Sequence, residues 1–472
     1  MSWKPVAEKL ARYLPEVRKP LRRLGLGERL AWTAIVLILY TLMGHTMLYG
    51  VPQASRLAGQ SPLIMSIIFA QRMGTLTTLG IGPIVTAGLI LQLLVGAQLI
   101  KLDLSKPEDR ATFTAMNKLL TIIVILVEAA VFTVSGMLGR LGPETQLIVF
   151  VQLVAATMLI VFMDELIQKG WGLGSGVSLF IAAGVAEAIF TNLFSPIMLP
   201  DGYYQGIILA LVQAGFKGGT FGDLLYRGRF PDVMGLIATT VLLILIIYLE
   251  SLRIEVPIQH ARISGYVARY PIKFLYVSNI PVIFASVVFT NIYFFSTMIW
   301  SRLNPANQNP MLNFIGTFNA TQYGPVPLGG LAYYVTSPGT IANAMTDPIR
   351  AIVYSLIMIG FCIVFAKFWV EVGGLSPYHV ADQLVKAGMQ IPGFRRAPSI
   401  IARLLQRYIK VLTILGAVIV ALIAIFGDYF NVYGGGIGIL LMTGILYQYY
   451  ELLIRERMLE MYPLLGRMLG ES

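Results

Sequence analysis

Residues 60–96 form a long apolar stretch that is interrupted by Arg72, by several glycines and by Pro83. Residues 62–70 read as a short helical piece, and after a break about twenty further apolar residues follow. A helix rises ~1.5 Å per residue, so only the second piece is long enough to cross a hydrocarbon core of ~30 Å. A half-length apolar helix must lie in protein or line a cavity, because lipid cannot satisfy its free backbone groups. The stretch therefore predicts a channel or a transporter, with an irregular signal anchor as the alternative.

The composition places the whole chain in a membrane. Hydrophobic residues make up 56% of the 472 residues and charged residues 12%, whereas soluble domains are roughly 45–50% apolar and 25% charged. The single cysteine, Cys362, excludes a disulfide framework, and the three histidines lack the spacing of metal ligands. The basic, amphipathic first thirty residues do not resemble a cleavable signal peptide.

Hydropathy predicts ten spans in two halves. They lie at about residues 31–50, 74–100, 114–138, 146–166, 174–194, 233–250, 273–297, 348–370, 408–427 and 434–452. The loop at 195–232 leaves five spans on each side, and halves with an odd number of spans insert with opposite orientation. The similar tetrapeptides GPIV (82–85) and IPVI (280–283) echo this inverted repeat. The predicted fold class is an all-α polytopic membrane protein, with ten transmembrane helices in two pseudo-symmetric inverted halves and a re-entrant half-helix plug.

The distribution of the 35 Lys and Arg residues orients the chain. Both termini lie on the same side of ten spans, and that side collects 26 basic residues, or 27 with Lys367, against eight on the other. Because cytoplasmic loops carry the excess of Lys and Arg, both termini are predicted to be cytoplasmic.

Five regions follow from this topology. They are a cytoplasmic amphipathic segment (1–30), read as an interfacial helix, an N-terminal half (31–194), an external hinge loop (195–232), a C-terminal half (233–452) and a cytoplasmic tail (453–472).

Two cytoplasmic loops stand out as long and basic. Residues 251–273 read as a β-hairpin, and residues 371–410 contain an amphipathic helix at about 377–388 followed by Arg395 and Arg396. Two structured basic loops on one face favour docking to a polyanion such as RNA or acidic lipid, with ordinary solvated loops as the alternative.

No catalytic constellation is present in the sequence, so an enzyme is not predicted. Nucleotide-binding loops and the GxSxG and HExxH patterns are missing. Charge within the membrane is sparse: Glu128 lies in the middle of the third span, Glu187 lies in the fifth span and Lys367 lies near the end of the eighth. A proton- or ion-coupled transporter usually carries more, so this class is disfavoured.

Four long motifs occur in order along the chain. They read GTLTTLGIGPIVTAGLILQLLVG, WGLGSGVSLFIAAGV, RYPIKFLYVSNIPVI and YGGGIGILLMTGILYQYYE. Together they resemble the SecY family, the α subunit of the Sec protein-conducting channel, and most closely its archaeal members. The resemblance implies a pore-forming subunit of the Sec translocon in the cell (plasma) membrane, without a cofactor. Such a channel passes unfolded secretory polypeptides across the membrane and releases transmembrane segments laterally into lipid. The alternative function is an inverted-repeat secondary transporter.

The resemblance also implies a pore ring and a plug. The positions that match the family's aliphatic ring are Ile81, Val85, Val177, Ile181, Ile283 and Leu441. Two i,i+4 pairs, 81/85 and 177/181, fit this role because each presents two side chains on one helix face. The plug falls at about residues 61–70, with the apolar residues Ile64, Met65, Ile67, Ile68 and Phe69.

A lateral gate and docking residues follow from the same resemblance. Thr86, Glu128 and Asn291 are polar residues in apolar spans, and they are expected to form a weak latch across the gate. Arg253, Arg395 and Arg396 match residues that bind the ribosome or a translocation motor. Further implied partners are a SecE/γ-type subunit, a small β/SecG-type subunit, signal sequences with their nascent chains, and membrane lipid.

Overall fold

A computed structural model describes most of the chain. The described residues are 15–22, 24–51, 70–96, 99–100, 102, 106–134, 138–139, 141–199, 202–217, 221–228, 230–260, 267–321, 324–386, 389–390 and 398–461. The predicted plug residues 61–69, which include Ile64, Met65, Ile67, Ile68 and Phe69, lie outside these ranges. Arg395 and Arg396 also lie outside them.

Ten apolar helices form the body of the described structure, at the positions of the ten predicted spans. The first half contains α1 (Leu26–His45), α2 (Gly82–Gly96), α3 (Pro107–Val134), α4 (Pro143–Leu166) and α5 (Gly176–Phe194). The second half contains α8 (Val233–Ser251), α9 (Ile280–Leu303), α13 (Pro348–Val372), α15 (Pro398–Tyr429) and α16 (Gly435–Met461). Within the described residues, nine of these helices are long and apolar enough to cross a membrane, and α2 is the short one, with 15 residues.

The short α2 corrects the predicted second span. Residues 70–81 form a series of turns, and the helix begins only at Gly82. The hydroxyl of Thr75 donates to the Arg72 carbonyl at 2.8 Å, and that of Thr78 donates to the Thr75 carbonyl at 2.5 Å. Gly74 adopts a φ of 77°, which glycine tolerates and other residues avoid. Local side-chain hydrogen bonds and left-handed backbone therefore replace the first helical turns.

Loops at the two ends of the helices carry the remaining elements. One end has α6 (Ile207–Lys217), α7 (Phe221–Leu225), α10 (Pro310–Ile315), β3 (Thr317–Thr321), β4 (Gly324–Gly329), α11 (Leu331–Val335) and α12 (Ile341–Thr346). The other end, here called the basic face, has β1 (Arg253–His260), β2 (Val267–Lys273), α14 (Pro377–Lys386) and β5 (Met389–Gln390). The predicted hairpin and the predicted amphipathic helix are thus confirmed.

The two basic loops form a single surface rather than two. Strand β1 pairs antiparallel with β2 and, on its other edge, with β5, where Gln259 lies opposite Gln390. The sheet order β2–β1–β5 therefore joins loop 251–273 to loop 371–410.

The N-terminal segment does not form the predicted interfacial helix over the residues that the structure describes. Residues 15–20 form no regular secondary structure, and α1 begins at Leu26, so the interfacial helix predicted for 1–30 is wrong there. The segment instead crosses the ends of α3 and α4. Lys118 donates to the Pro15 carbonyl at 2.8 Å, and the Trp171 indole donates to the Arg18 carbonyl at 2.8 Å. A hydrogen bond from Lys169 holds the pKa of the Glu16 carboxyl below its usual value.

Candidate pore and lateral gate

The six predicted ring residues lie at or near the beginnings of four helices. Ile81 directly precedes α2, and the Val85 amide donates to the Ile81 carbonyl at 3.1 Å, one helical turn apart. Val177 and Ile181 occupy the first two turns of α5, and Ile283 occupies the first turn of α9. Leu441 lies in the second turn of α16.

The packing of α16 on α5 brings Leu441 to the level of Ile181. At one end Gly434 lies against Val185, since a Cβ on this glycine would be 3.1 Å from Val185 Cγ1. At the other end the Tyr449 hydroxyl donates to the Leu173 carbonyl at 2.9 Å. The two helices therefore run antiparallel, and Leu441 lies midway between these contacts, as Ile181 does on α5.

The start of α9 joins the same level through Asn279. The side-chain amide of Asn279 donates to the Leu440 carbonyl at 3.0 Å, and the backbone carbonyl of Asn279 accepts the Ile283 amide at 3.2 Å. Ile283 is thereby held beside the α16 turn that carries Leu441.

The six side chains belong to one hydrophobic cluster. Ile81, Leu441 and Ile181 are 0%, 2% and 6% exposed, and the other three ring residues are partly buried against the same cluster. The predicted ring, called the aliphatic waist below, is uncharged and would offer ions and water no hydrogen bonds. Such a narrowing favours dewetting and resists ion flow.

A cavity of about 270 Å³ lies next to this waist. Its lining includes Tyr40, Ala70, Arg72, Gly184, Glu187 and Asn192. Ala70 is the last residue of the predicted plug segment. It packs on Gly184, and its carbonyl accepts a hydrogen bond from Tyr40. Ala70, at the end of the predicted plug segment, therefore contacts α1 and α5, one turn beyond Ile181.

An ion pair in this cavity was not predicted. The Arg72 guanidinium contacts the Glu187 carboxylate, and its Nη1 lies 3.1 Å from His45 Nε2. The sequence contained a signal, because Arg72 interrupts an apolar stretch and Glu187 is an isolated charge within the fifth span. Charges in such surroundings usually pair with one another.

Helices α2 and α3 meet α9 and α13 along a seam that is closed at two levels. The rings of Phe132 and Phe294 lie 4.8 Å apart, and Arg302 donates to the Val134 carbonyl. Near the other end, a Cβ on Gly96 would lie 2.4 Å from side-chain atoms of Phe368 and Val372. Aromatic contact and a glycine close approach therefore hold the seam.

The predicted polar latch is not formed by direct hydrogen bonds. Thr86, Glu128 and Asn291 lie on α2, α3 and α9, but within the described part of the chain no hydrogen bond or ion pair joins them. The Thr86 hydroxyl is buried without a partner. Phe132 and Phe294 follow Glu128 and Asn291 by four and three residues, so the aromatic pair occupies the same helix faces as the expected latch.

Arg253, a predicted docking residue, is engaged inside the protein. Its guanidinium donates to the Glu250 carbonyl at 2.5 Å and to the Tyr447 hydroxyl at 3.2 Å, and its Cζ lies 5.9 Å from the centre of the Tyr447 ring. These contacts fix the base of the β1–β2 hairpin to α16. The half-buried Arg253 is thus a structural anchor of the basic face.

Metal binding receives no support from the described residues, among which no group of three His, Cys, Asp or Glu is placed to hold an ion.

Comparison with known proteins agrees with this architecture. The SecY family model matches residues 75–450. A protein translocase subunit SecY from Saccharolobus solfataricus is 42% identical over 475 residues, covering 98% of each chain. A solved SecY structure, whose plug domain stabilises the closed state of the translocation channel and maintains a membrane seal, is 37% identical with a TM-score of 0.79, covering 98% of this chain and 99% of that chain. Sec61 in the canine ribosome–channel complex from the endoplasmic reticulum is 35% identical with a TM-score of 0.77 and the same coverages.

Ten apolar helices, together with these similarities over the full length, define a multi-pass membrane protein of the protein-conducting channel class. The chain belongs to the SecY family.

Proposed function

We propose that this chain forms the pore of a Sec translocon, which passes unfolded secretory polypeptides across the membrane and releases transmembrane segments laterally into lipid. The observation that carries the proposal is the packing of α16 against α5 and against the start of α9, which brings Ile181, Ile283 and Leu441 to one level, with Ile81 and Val85 in the same hydrophobic cluster. Branched alkyl groups deform around a passing chain of any sequence, whereas charged groups would retain some segments. The chain has no catalytic role, and the driving force comes from a partner.

Crosslinking tests this function directly. A photoreactive residue at Ile181 is expected to react with a secretory chain arrested during translocation. The matched control is Phe190 on the same helix, which is 65% exposed and belongs to the outward-facing surface. Reaction at residue 190 but not at residue 181 would contradict a path through the waist.

We propose that residues 61–70, with the apolar residues Ile64, Met65, Ile67, Ile68 and Phe69, form the plug. The contact of Ala70 with Gly184, one turn from Ile181, supports this position. The plug domain of the solved SecY relative supports the role.

The lateral gate lies between α2 and α3 on one side and α9 and α13 on the other. Glu128→Leu is expected to reduce the translocation of substrates with weak signal sequences, since it replaces a carboxyl that makes no hydrogen bond to Thr86 or Asn291 with an apolar side chain beside the Phe132–Phe294 contact and so favours the closed seam. A polar group left without a hydrogen bond in an apolar environment costs roughly 1–3 kcal/mol, so a several-fold loss is expected. The loss is measured as the translocated fraction of a substrate series with graded signal hydrophobicity. Val127→Leu, at a neighbouring residue that is half exposed, is the control. Equal translocation by the unsubstituted protein and the two variants would contradict the gate assignment.

The joined surface of β1, β2 and β5 is proposed to dock the ribosome or a translocation motor. The canine relative occurs in a ribosome–channel complex, and guanidinium groups suit both RNA phosphates and acidic side chains. Arg395 and Arg396 are proposed as contact residues, whereas Arg253 is proposed to support the surface from within.

Charge reversal of Arg395 and Arg396 is expected to weaken ribosome binding and to flatten its salt dependence. Each lost phosphate contact reduces the slope of log K against log salt by roughly 0.7–0.9. Binding is measured by cosedimentation across a salt series. Arg22→Glu, at a side chain that is 77% exposed and lies outside the two basic loops, is the control. A loss of binding with an unchanged slope would contradict phosphate contact.

The proposed location is the plasma membrane, with both termini cytoplasmic. The support is the excess of basic residues on the face that carries the termini. A SecE/γ-type subunit and a small β/SecG-type subunit are proposed to brace the two halves.

A further inference from the structure

The connection between the two halves folds back onto the end of α5. The Gly206 amide donates to the Ser195 carbonyl at 2.9 Å, and the Gln205 amide donates to the Ile197 carbonyl at 2.7 Å. The backbones are so close that a Cβ on Gly206 would lie 2.5 Å from the Ser195 nitrogen. Helix α6, which follows at Ile207, therefore starts beside the last turn of α5, at the outer end of a membrane-spanning helix.

One face of α6 is fixed to the connection itself. Ala210 and Ala214 are buried against Leu224 of α7. Gln213 donates to the Gly202 carbonyl at 2.9 Å and accepts the Tyr204 amide at 3.1 Å. These contacts determine which side of the helix points away from the protein.

The side that points away is apolar. Val212 and Phe216 lie one turn apart and are 51% and 89% exposed. Among the large apolar side chains of the described residues, only Leu21 is more exposed than Phe216. Helix α6 starts beside the end of α5 and the following turn, where Phe190, Phe194 and Ile197 are also exposed, at 65%, 41% and 60%. Lipid covers the exposed apolar side chains of a membrane-spanning helix, and it is therefore the occupant that the adjoining helix α6 reaches.

We propose that α6 lies in the interface of the outer leaflet with Val212 and Phe216 inserted among the lipids, so that the hinge between the two halves is tied to the membrane surface. An apolar face of this kind enters the boundary between headgroups and acyl chains. The inference depends on the proposed orientation of the chain in the membrane but does not depend on conduction by the pore.

Depth-dependent quenching tests the proposal on the full channel complex in phosphatidylcholine vesicles. Cys362→Ala removes the only cysteine, and Phe216→Cys then carries an environment-sensitive NBD fluorophore. Lipids with doxyl groups at different depths are expected to quench it and to place it roughly 5–10 Å into the headgroup and acyl boundary. Val212→Cys, one turn away, is expected to report the same depth.

Asn192→Cys provides the matched control. Asn192 lies near the end of α5, close to the level at which α6 begins, but it lines the cavity beside the waist. A fluorophore there is expected to be quenched by aqueous iodide and not by doxyl lipids. Strong iodide quenching at residue 216 would overturn the proposal in favour of a water-exposed helix. Protection of residue 216 from both quenchers would overturn it in favour of a covering protein, either a second copy or a partner subunit.

Discussion

Substituting Ile81→Asn, Val85→Thr and Ile181→Asn together is expected to make the resting channel leak ions. The three side chains come from the start of α2, from the residue before it and from α5, and Ile81 and Ile181 are buried in the hydrophobic cluster. Amide and hydroxyl groups give water hydrogen-bond partners where the native waist has none, so the constriction wets. A barrier lower by only ~1.4 kcal/mol raises an ion flux tenfold, and a rise of at least that order is expected. The flux is measured as the decay of an ion gradient across proteoliposomes that contain the purified complex.

The control variant keeps the ring side chains apolar and changes only their shape. Ile81→Leu with Ile181→Leu retains apolar side chains of similar volume, which cores tolerate well, and is expected to stay sealed. Thermal unfolding of each variant in detergent separates leakage from loss of structure. A folded polar variant that holds its gradient would contradict a seal made by the aliphatic waist. Altered affinity for a small solute without leakage would favour the transporter alternative.

Most of the fold could be predicted because its helices and its hairpin are defined by short, continuous stretches of sequence. A span is a local property, because about twenty apolar residues suffice to define it, and each of the ten predicted spans overlaps one of the ten helices. The β1–β2 hairpin and α14 were predictable for the same reason, since alternation and amphipathicity lie within short windows. Residues 70–81 escaped prediction because an apolar stretch conceals a turn made by the hydroxyls of Thr75 and Thr78.

The site was harder to predict because its contacts are distant in sequence. Phe132 and Phe294 are apolar residues within apolar helices, so hydropathy cannot distinguish a gate contact from a lipid-facing side chain. The pairing of β5 with β1 brings the two basic loops together, and short strands leave little signal in a sequence. Arg253 was assigned to docking by the family resemblance, whereas its contact with Tyr447 depends on the position of α16 in the fold.

The beginning of α16 depends on a glycine contact, and α16 carries Leu441 of the proposed pore ring. A Cβ on Gly427 of α15 would lie 2.1 Å from the Cα of Gly436 and 2.3 Å from its nitrogen. A Cβ on Gly436 would in turn lie 2.5 Å from the Ile423 carbonyl oxygen. These obstacles are backbone atoms, so a rotamer change cannot relieve them. The YGGGIG motif at 433–438 is thus explained by close helix packing.

Gly427→Ala is therefore expected to destabilise the protein strongly. Overpacking of a close contact costs roughly 1–3 kcal/mol, and the upper end applies where backbone must move. Gly360→Ala is the matched control, because this glycine lies within α13 and a Cβ there would meet no atom within 4 Å. Alanine exceeds glycine in helix propensity by about 0.8–1 kcal/mol, so the control is expected to be neutral or stabilising.

Both variants are compared by thermal unfolding in detergent and by ion leakage in vesicles. Because a displaced α16 carries Leu441 away from Ile181, the Gly427 variant is also expected to leak. Equal thermal stability of the two variants would contradict the role of this contact in holding α16 against α15.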